Sequence, residues 1–377
     1  MSPVHRRARS GTAVLGALTG LSLTVGCAPT SPVPQAAPAP TSAAEDTGWQ
    51  EQLVSGPPNP EDLILLETGT AVISGMSADP GGGAGAAGSL YAMDPQTGVF
   101  DDIWPAAGHD TAPDETRYPD CPGPPDLDAA SPHGLGLEVD DQGTTRLHVV
   151  NHGGREAVEI FEVEDTADGA HLTWVGCSEL PQGSFGNGVV PDPVGDGFYV
   201  THFLDPADMV TGFEQAFAGQ PTGHVLHWAP DTGWTKVPGS EMSTPNGVAV
   251  SADGRSLYVA SWGGRELVEL DVETGQRLAT TGLEIMPDNL RPADDGTLLV
   301  TGQAIDSIET FFQYQEGERS PEARYDVYAL DPEDFTVDQI AHGEPDGFGN
   351  PTTALETPQG ILLGSVTGES LLRLTRD

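Results

Sequence analysis

Glu61, His133, Asn187, Asn246, Asp288 and Thr352 share a local setting that could do chemistry. Each opens a segment that runs through a mostly apolar stretch, turns at a glycine and enters a second apolar stretch. Glu61-Asp-Leu-Ile-Leu-Leu-Glu-Thr-Gly69 and Asn246-Gly-Val-Ala-Val-Ser-Ala-Asp-Gly254 show the pattern, and the His133 copy is two residues longer. If the six openings face one another, two carboxylates meet in one enclosed space. A buried carboxylate is costly without a partner, and no Arg or Lys stands at any of the six openings. A divalent cation would resolve this. Glu61 and Asp288 would bring negative charge; Asn187, Asn246 and the adjacent Asn289 would bring neutral amide oxygens. An all-oxygen donor set suits calcium better than zinc. The plain alternative is a hydrogen-bonded plug that only closes the space, since Asn-Gly and Asp-Gly also occur in ordinary turns.

The elements that must position these residues are short strands. The copies lie roughly 40 to 70 residues apart, the period of a propeller blade with loop insertions. Apolar partner strands follow each turn, among them Ala71-Val-Ile-Ser and Leu257-Tyr-Val-Ala. A third series, including Leu90-Tyr-Ala-Met-Asp-Pro and Val327-Tyr-Ala-Leu-Asp-Pro, ends in polar turns. Glycine (48) and proline (33) are abundant, and no stretch shows sustained helical periodicity. The expected fold is all-β, a six-bladed β-propeller with a central metal-binding channel.

The N-terminus reads as an address. Arg6, Arg7 and Arg9 precede an apolar run from Thr12 to Val25, which ends in Thr24-Val-Gly-Cys27. Residues 1–26 are expected to be a lipoprotein signal peptide, with lipidation at Cys27. Residues 27–48 form a Pro/Ala/Ser-rich tether that cannot build a core. The folded propeller domain is expected over 49–377. The protein is then exported, either lipid-anchored to the outer face of a bacterial membrane or secreted.

Net charge is −42, from 15 basic and 57 acidic residues. Such a surface repels nucleic acid and anionic membrane, so the membrane is met only through the lipid. A monomer acting on a small molecule is expected. Lys236 is the only lysine, which leaves Schiff-base chemistry almost no candidate. No Gly-x-Ser-x-Gly elbow occurs, and Gly81 to Gly88 does not open a helix after a strand, so it is no phosphate cradle. Cys121 and Cys177 could form a bridge in an oxidising exterior; spacing alone does not settle it.

The ordered set Pro60-Glu-Asp-Leu, Ser131-Pro-His-Gly, Leu147-His-Val-Val-Asn-His152, Gly186-Asn-Gly, Pro245-Asn-Gly-Val-Ala-Val and Asp288-Asn-Leu resembles the serum paraoxonase/arylesterase family. That family lies within the six-bladed, calcium-dependent propellers of the gluconolactonase group. The resemblance runs from about residue 58 to the C-terminus. It implies that Glu61, Asn187, Asn246, Asp288 and Asn289 hold a catalytic Ca2+, and that His133 and His152 activate water. It implies that Asp62 serves a second, structural Ca2+. Here the sequence departs from the family pattern. A further aspartate should follow Asn187, and this chain has Gly188. The second ion is then held weakly, or replaced by water and hydrogen bonds. The family's disulfide between the two ends of the domain has no counterpart. Closure of the ring falls to strand pairing between residues 49–55 and Ser370 to Leu374.

The function expected is calcium-dependent hydrolysis of lactones and/or aryl esters, with a metal-polarised carbonyl attacked by water and a histidine base. His202 and Phe203 are expected to line the substrate pocket, whose rim also draws on Met209, Phe213, Phe217 and Phe311-Phe312. His109, His171, His224, His227 and His342 are expected to be structural or on the surface. Two alternatives stand beside this reading: a sugar lactonase of gluconolactonase type, and a non-catalytic surface-anchored propeller that binds a partner.

Overall fold

A computed structural model describes residues 48–77, 87–105, 110–167, 169–315 and 323–376. The expected signal peptide, Cys27, nearly all of the expected tether, His109 and most of Gly81 to Gly88 lie outside the described residues.

Six sheets make six blades, antiparallel except where the short strand Asp110–Thr111 joins blade two parallel to Gly169–Glu179. Their innermost strands are Pro60–Leu65, Pro132–Val139, Gly186–Pro191, Pro245–Val250, Met286–Pro292 and Pro351–Thr357, in blades one to six. Each packs against the next, and the sixth against the first, so the ring is closed around one axis. The closing sheet mixes the two ends of the domain. Gln50–Ser55 forms the outer strand of blade six and pairs antiparallel with Ser370–Thr375, from Gln50 opposite Thr375 to Ser55 opposite Ser370.

The core lies between the blades. Leu66, Val72 and Leu90 of blade one pack with Leu135, Leu147 and Phe161 of blade two. Val54, Leu362 and Leu371 of blade six pack with Leu63 and Ile73 of blade one. Because each blade is covered on both faces, the middle strands read as nearly unbroken apolar runs.

Cys121 and Cys177 are bridged, with Cα atoms 5.2 Å apart. The bridge ties the segment that leads into blade two to that blade's strand Gly169–Glu179.

Two helices depart from the all-strand expectation. α1 (Met209–Phe217) follows the second strand of blade three, and α2 (Ile308–Gln315) follows that of blade five. They touch each other. Asp208 caps α1 by accepting from the Thr211 N–H at 3.2 Å, and Ser307 accepts from the Thr310 N–H at 3.2 Å at the start of α2. At eight or nine residues, these helices are too short for a clear helical period and are held by packing.

Candidate active site

The six openings do converge. Glu61, His133, Asn187, Asn246, Asp288 and Thr352 are all buried, one at the head of each inner strand. A shared backbone device aims them. In every blade the pairing between the first two strands slips at this point, for example between Pro245 and Val248 and between Pro287 and Leu290. Such an irregularity turns a side chain out of the sheet's regular alternation. A proline precedes five of the six openings. The glycine after Asn246 has a packing reason rather than a turn reason: a Cβ on Gly247 would lie 2.5 Å from the Asp288 carbonyl of the next blade.

Four of the buried openings leave an oxygen without a hydrogen-bond partner: Glu61 Oε2, Asn187 Oδ1, Asn246 Oδ1 and Asp288 Oδ1. Unpaired buried acceptors are rare in folded proteins. These four belong to the residues expected to hold an ion, and their chemistry fits a hard cation. Among the described residues, no group of three His, Cys, Asp or Glu is gathered as a transition metal would need. The donor set depends on its amides. Asn289 turns its amide nitrogen to Glu61 Oε1 and Thr353 Oγ1, both at 3.0 Å. Burial and the Glu61 charge push the Asp288 carboxyl well above the usual carboxylate range, although the Gln303 hydrogen bond pulls it down. The pair of carboxylates therefore calls for positive charge.

The two expected histidines meet beside them. His133 Nδ1 is 2.7 Å from His152 Nε2, and His133 Nε2 is 3.5 Å from Glu61 Oε1. Their environments push them apart. Burial works against charge on His133, but attraction to Glu61 wins and its pKa is raised. Burial lowers His152, against the pull of Glu156. The His152 ring also stacks on Phe185, at a centroid distance of 4.2 Å.

Several residues that serve this site were not singled out from the sequence. Glu156 holds His152 Nδ1 with both carboxylate oxygens at 3.0 Å. Gln303 donates to Asp288 Oδ2 at 2.8 Å and accepts from the Trp262 indole at 2.6 Å. Thr352, which had no expected role, donates to the Glu61 carbonyl at 2.5 Å and so links blade six to blade one. Only spatial proximity reveals Glu156 and Gln303, since one lies in a strand connection and the other at the end of a second strand.

His202 ends the strand Phe198–His202, and Phe203 follows it. His202 Nδ1 accepts from the Phe185 N–H at 3.1 Å, and its ring packs edge-on against His224. Phe203 is buried in an aromatic cluster with Phe213 and Trp262. Phe311 packs against Phe213 at 4.6 Å and so joins α2 to α1. Through Trp262 and Gln303 this cluster is hydrogen-bonded to Asp288.

Asp62 does not fit a metal ligand. Its Oδ1 accepts from Leu63 N–H at 2.8 Å and Thr353 Oγ1 at 2.9 Å; its Oδ2 accepts from Leu135 N–H at 2.7 Å and from the Arg291 guanidinium. Burial raises the Asp62 carboxyl, the Arg291 charge pulls against it, and Glu61 adds to the rise. Four donors aimed at its two oxygens require the ionised form. The two oxygens that the resemblance would give to a second ion are thus engaged by hydrogen-bond donors, the Arg291 guanidinium among them.

The model of the family described as Arylesterase matches residues 58–371. The chain belongs to the arylesterase family. Among curated arylesterase relatives, serum paraoxonase/arylesterase 2 of Homo sapiens is 28% identical over 170 residues, covering 44% of this chain and 46% of that protein. Serum paraoxonase/lactonase 3 of Oryctolagus cuniculus is 32% identical over 132 residues, covering 34% and 36%. The matched stretches thus span less than half the length of these two relatives. A luciferin-regenerating enzyme shares the fold at 12% identity, with a TM-score of 0.51 over 86% of this chain and 95% of that one.

Proposed function

We propose that this arylesterase-family chain is a calcium-dependent hydrolase of lactones and aryl esters. One observation carries the reading: four inner strands open on unpartnered buried oxygens, of Glu61, Asn187, Asn246 and Asp288, and the Glu61 carboxylate lies 3.5 Å from His133 of the His133–His152 pair. Calcium bound there would polarise the carbonyl and stabilise the negative charge that develops on its oxygen.

The remaining work falls to the chain's own side chains. With Glu156 ionised, His152 carries its proton on Nδ1 and donates it to that carboxylate. Neutral His152 then offers a lone pair at Nε2, so His133 Nδ1 donates to it across 2.7 Å. This leaves a lone pair on His133 Nε2, the nitrogen nearest Glu61. That nitrogen is placed to take a proton from an attacking water. Once it has, the Nδ1 proton can pass to His152 and the charge is shared towards Glu156, whose side chain is 26% exposed. Glu61 lies 3.5 Å from that nitrogen and would be drawn off it as one of the residues that would hold the ion, leaving His133 free to act as the base.

The aromatic cluster of Phe203, Phe213, Trp262 and Phe311 beside Gln303 supports an apolar ester or lactone over a polyhydroxylated sugar lactone. We also read the chain as exported, lipid-anchored through Cys27 or secreted. Millimolar extracellular calcium would then fill even a site of modest affinity. Mass spectrometry of the mature N-terminus tests the anchor.

The test of function is a panel of lactones and aryl esters, run with calcium and with excess chelator alongside metal analysis. Turnover that disappears on chelation and returns with calcium is expected. A chain with full calcium occupancy and no turnover on any member would overturn the enzymatic reading in favour of a binding propeller.

A further inference from the structure

Arg291 is the fourth residue of the blade-five repeat and is buried in the channel, only 7% exposed. Its guanidinium crosses from blade five to two other blades. It donates to Asp62 Oδ2 and to the Leu63 carbonyl (2.8 Å) in blade one, and to the Leu135 carbonyl (2.9 Å) in blade two. One carboxylate oxygen and two main-chain carbonyls are the kind of acceptors that a hard dication would use. Here nitrogen donors consume them.

We propose that Arg291 is a built-in replacement for the structural channel ion, so that this chain takes one divalent cation where the family pattern has two. Charge supports the exchange. The family pattern pairs two aspartates with one dication. Gly188 removes one negative charge, and the remaining Asp62 is matched by the single positive charge of Arg291. Space supports it too. Gly188 lines the narrow gap beside Arg291, Asp62 and Leu135. A Cβ at 188 would lie 2.7 Å from the Asn246 carbonyl, so no side chain fits there without moving the backbone of blade four. A second dication would also stand against the guanidinium in a buried setting, where like charges repel strongly. Geometry favours arginine over lysine, because its fork reaches three acceptors on two strands at once. Unlike a bound ion, this cation cannot dissociate, so its hold on blades one, two and five is independent of calcium.

The experiment is a count of ions on the wild-type full chain. The protein is stripped with chelator, titrated with Ca2+ by calorimetry and checked by elemental analysis. One ion per chain is expected. Two ions per chain would overturn the proposal. No ion would overturn the calcium reading of the Glu61–Asp288 site, and with it the count of one proposed here. A second measurement concerns Arg291 itself. In excess chelator, Arg291→Met strands a buried Asp62 charge and should lower the melting temperature by roughly 5–10 °C. A variant that melts with the wild type would overturn the proposal. If the variant fails to fold, the wild-type ion count decides alone.

Discussion

Glu156 grips the far nitrogen of His152 with both carboxylate oxygens, each 3.0 Å from Nδ1. This contact selects the tautomer of His152 and, through it, that of His133. Glu156 also accepts from the Gly186 N–H at 3.3 Å, next to Asn187. Glu156→Gln keeps the size of the side chain but no longer favours one tautomer. The expected result is a fall in kcat of roughly 10- to 100-fold with KM little changed, the scale seen for partners that orient an active group. Glu156→Asp should recover part of the loss. Steady-state kinetics on one lactone check this, and a change confined to KM would count against the relay.

Asp288 and Glu61 make stability depend on the ion. Without a cation, two buried carboxylates oppose each other, and burial already pushes the Asp288 carboxyl up. Asp288→Asn removes one charge and keeps the shape. In chelator the variant is expected to be more stable than wild type, by about 1–3 kcal/mol. In saturating calcium the order reverses, and activity falls by roughly 100-fold or more. Thermal melts in both conditions give the comparison; an unchanged order would argue against an ion between these groups.

The Cys121–Cys177 bridge closes a loop with a sequence separation of 56. In the chain-entropy picture a loop of that length contributes about 4 kcal/mol by restricting the unfolded state. Replacing both cysteines by serine should cost stability on that scale without touching kcat, because the bridge sits on the outer part of blade two. Denaturant titration of the double variant tests this.

His148 predicts an acid-side weakness unrelated to catalysis. Burial, with Arg117 and Arg146 nearby, holds its imidazole down to about 3 from an ordinary 6.5. The unfolded chain takes up this proton near pH 6.5, and the folded chain does not until near pH 3. Between these values the unfolded state binds more protons. The stabilisation is therefore complete above about pH 6.5 and is lost progressively as pH falls. From pH 7.5 to 5 this one group should cost about 2 kcal/mol. His148→Gln should lose that much less stability over the same interval in denaturant titrations.

Much of the site was legible because the repeat is local. The opening polar residue of each inner strand and the apolar run behind it recur in register, so the sequence points to six blades and to the column Glu61, His133, Asn187, Asn246, Asp288 and Thr352. The helices α1 and α2 were not legible, since two turns of aromatic-rich chain carry little period of their own. Their stability comes from Phe213, Phe311 and Trp262 packing together.

Fold class, blade count and the side chains that open each inner strand can be read from sequence, because strand patterning and turn chemistry are encoded over a few neighbouring residues. Which charge neutralises which emerges only from the folded ring. The sequence shows no basic residue in the opening column, and that remains true. The cation that answers Asp62 comes instead from Arg291, three residues into its repeat, through a long side chain that crosses the channel to blades one and two. Glu156 is only four residues from His152, and it reaches the Nδ1 because blade two's strand connection turns back between them. Charge pairing in a closed ring is set by distances across the axis, and no local pattern encodes those.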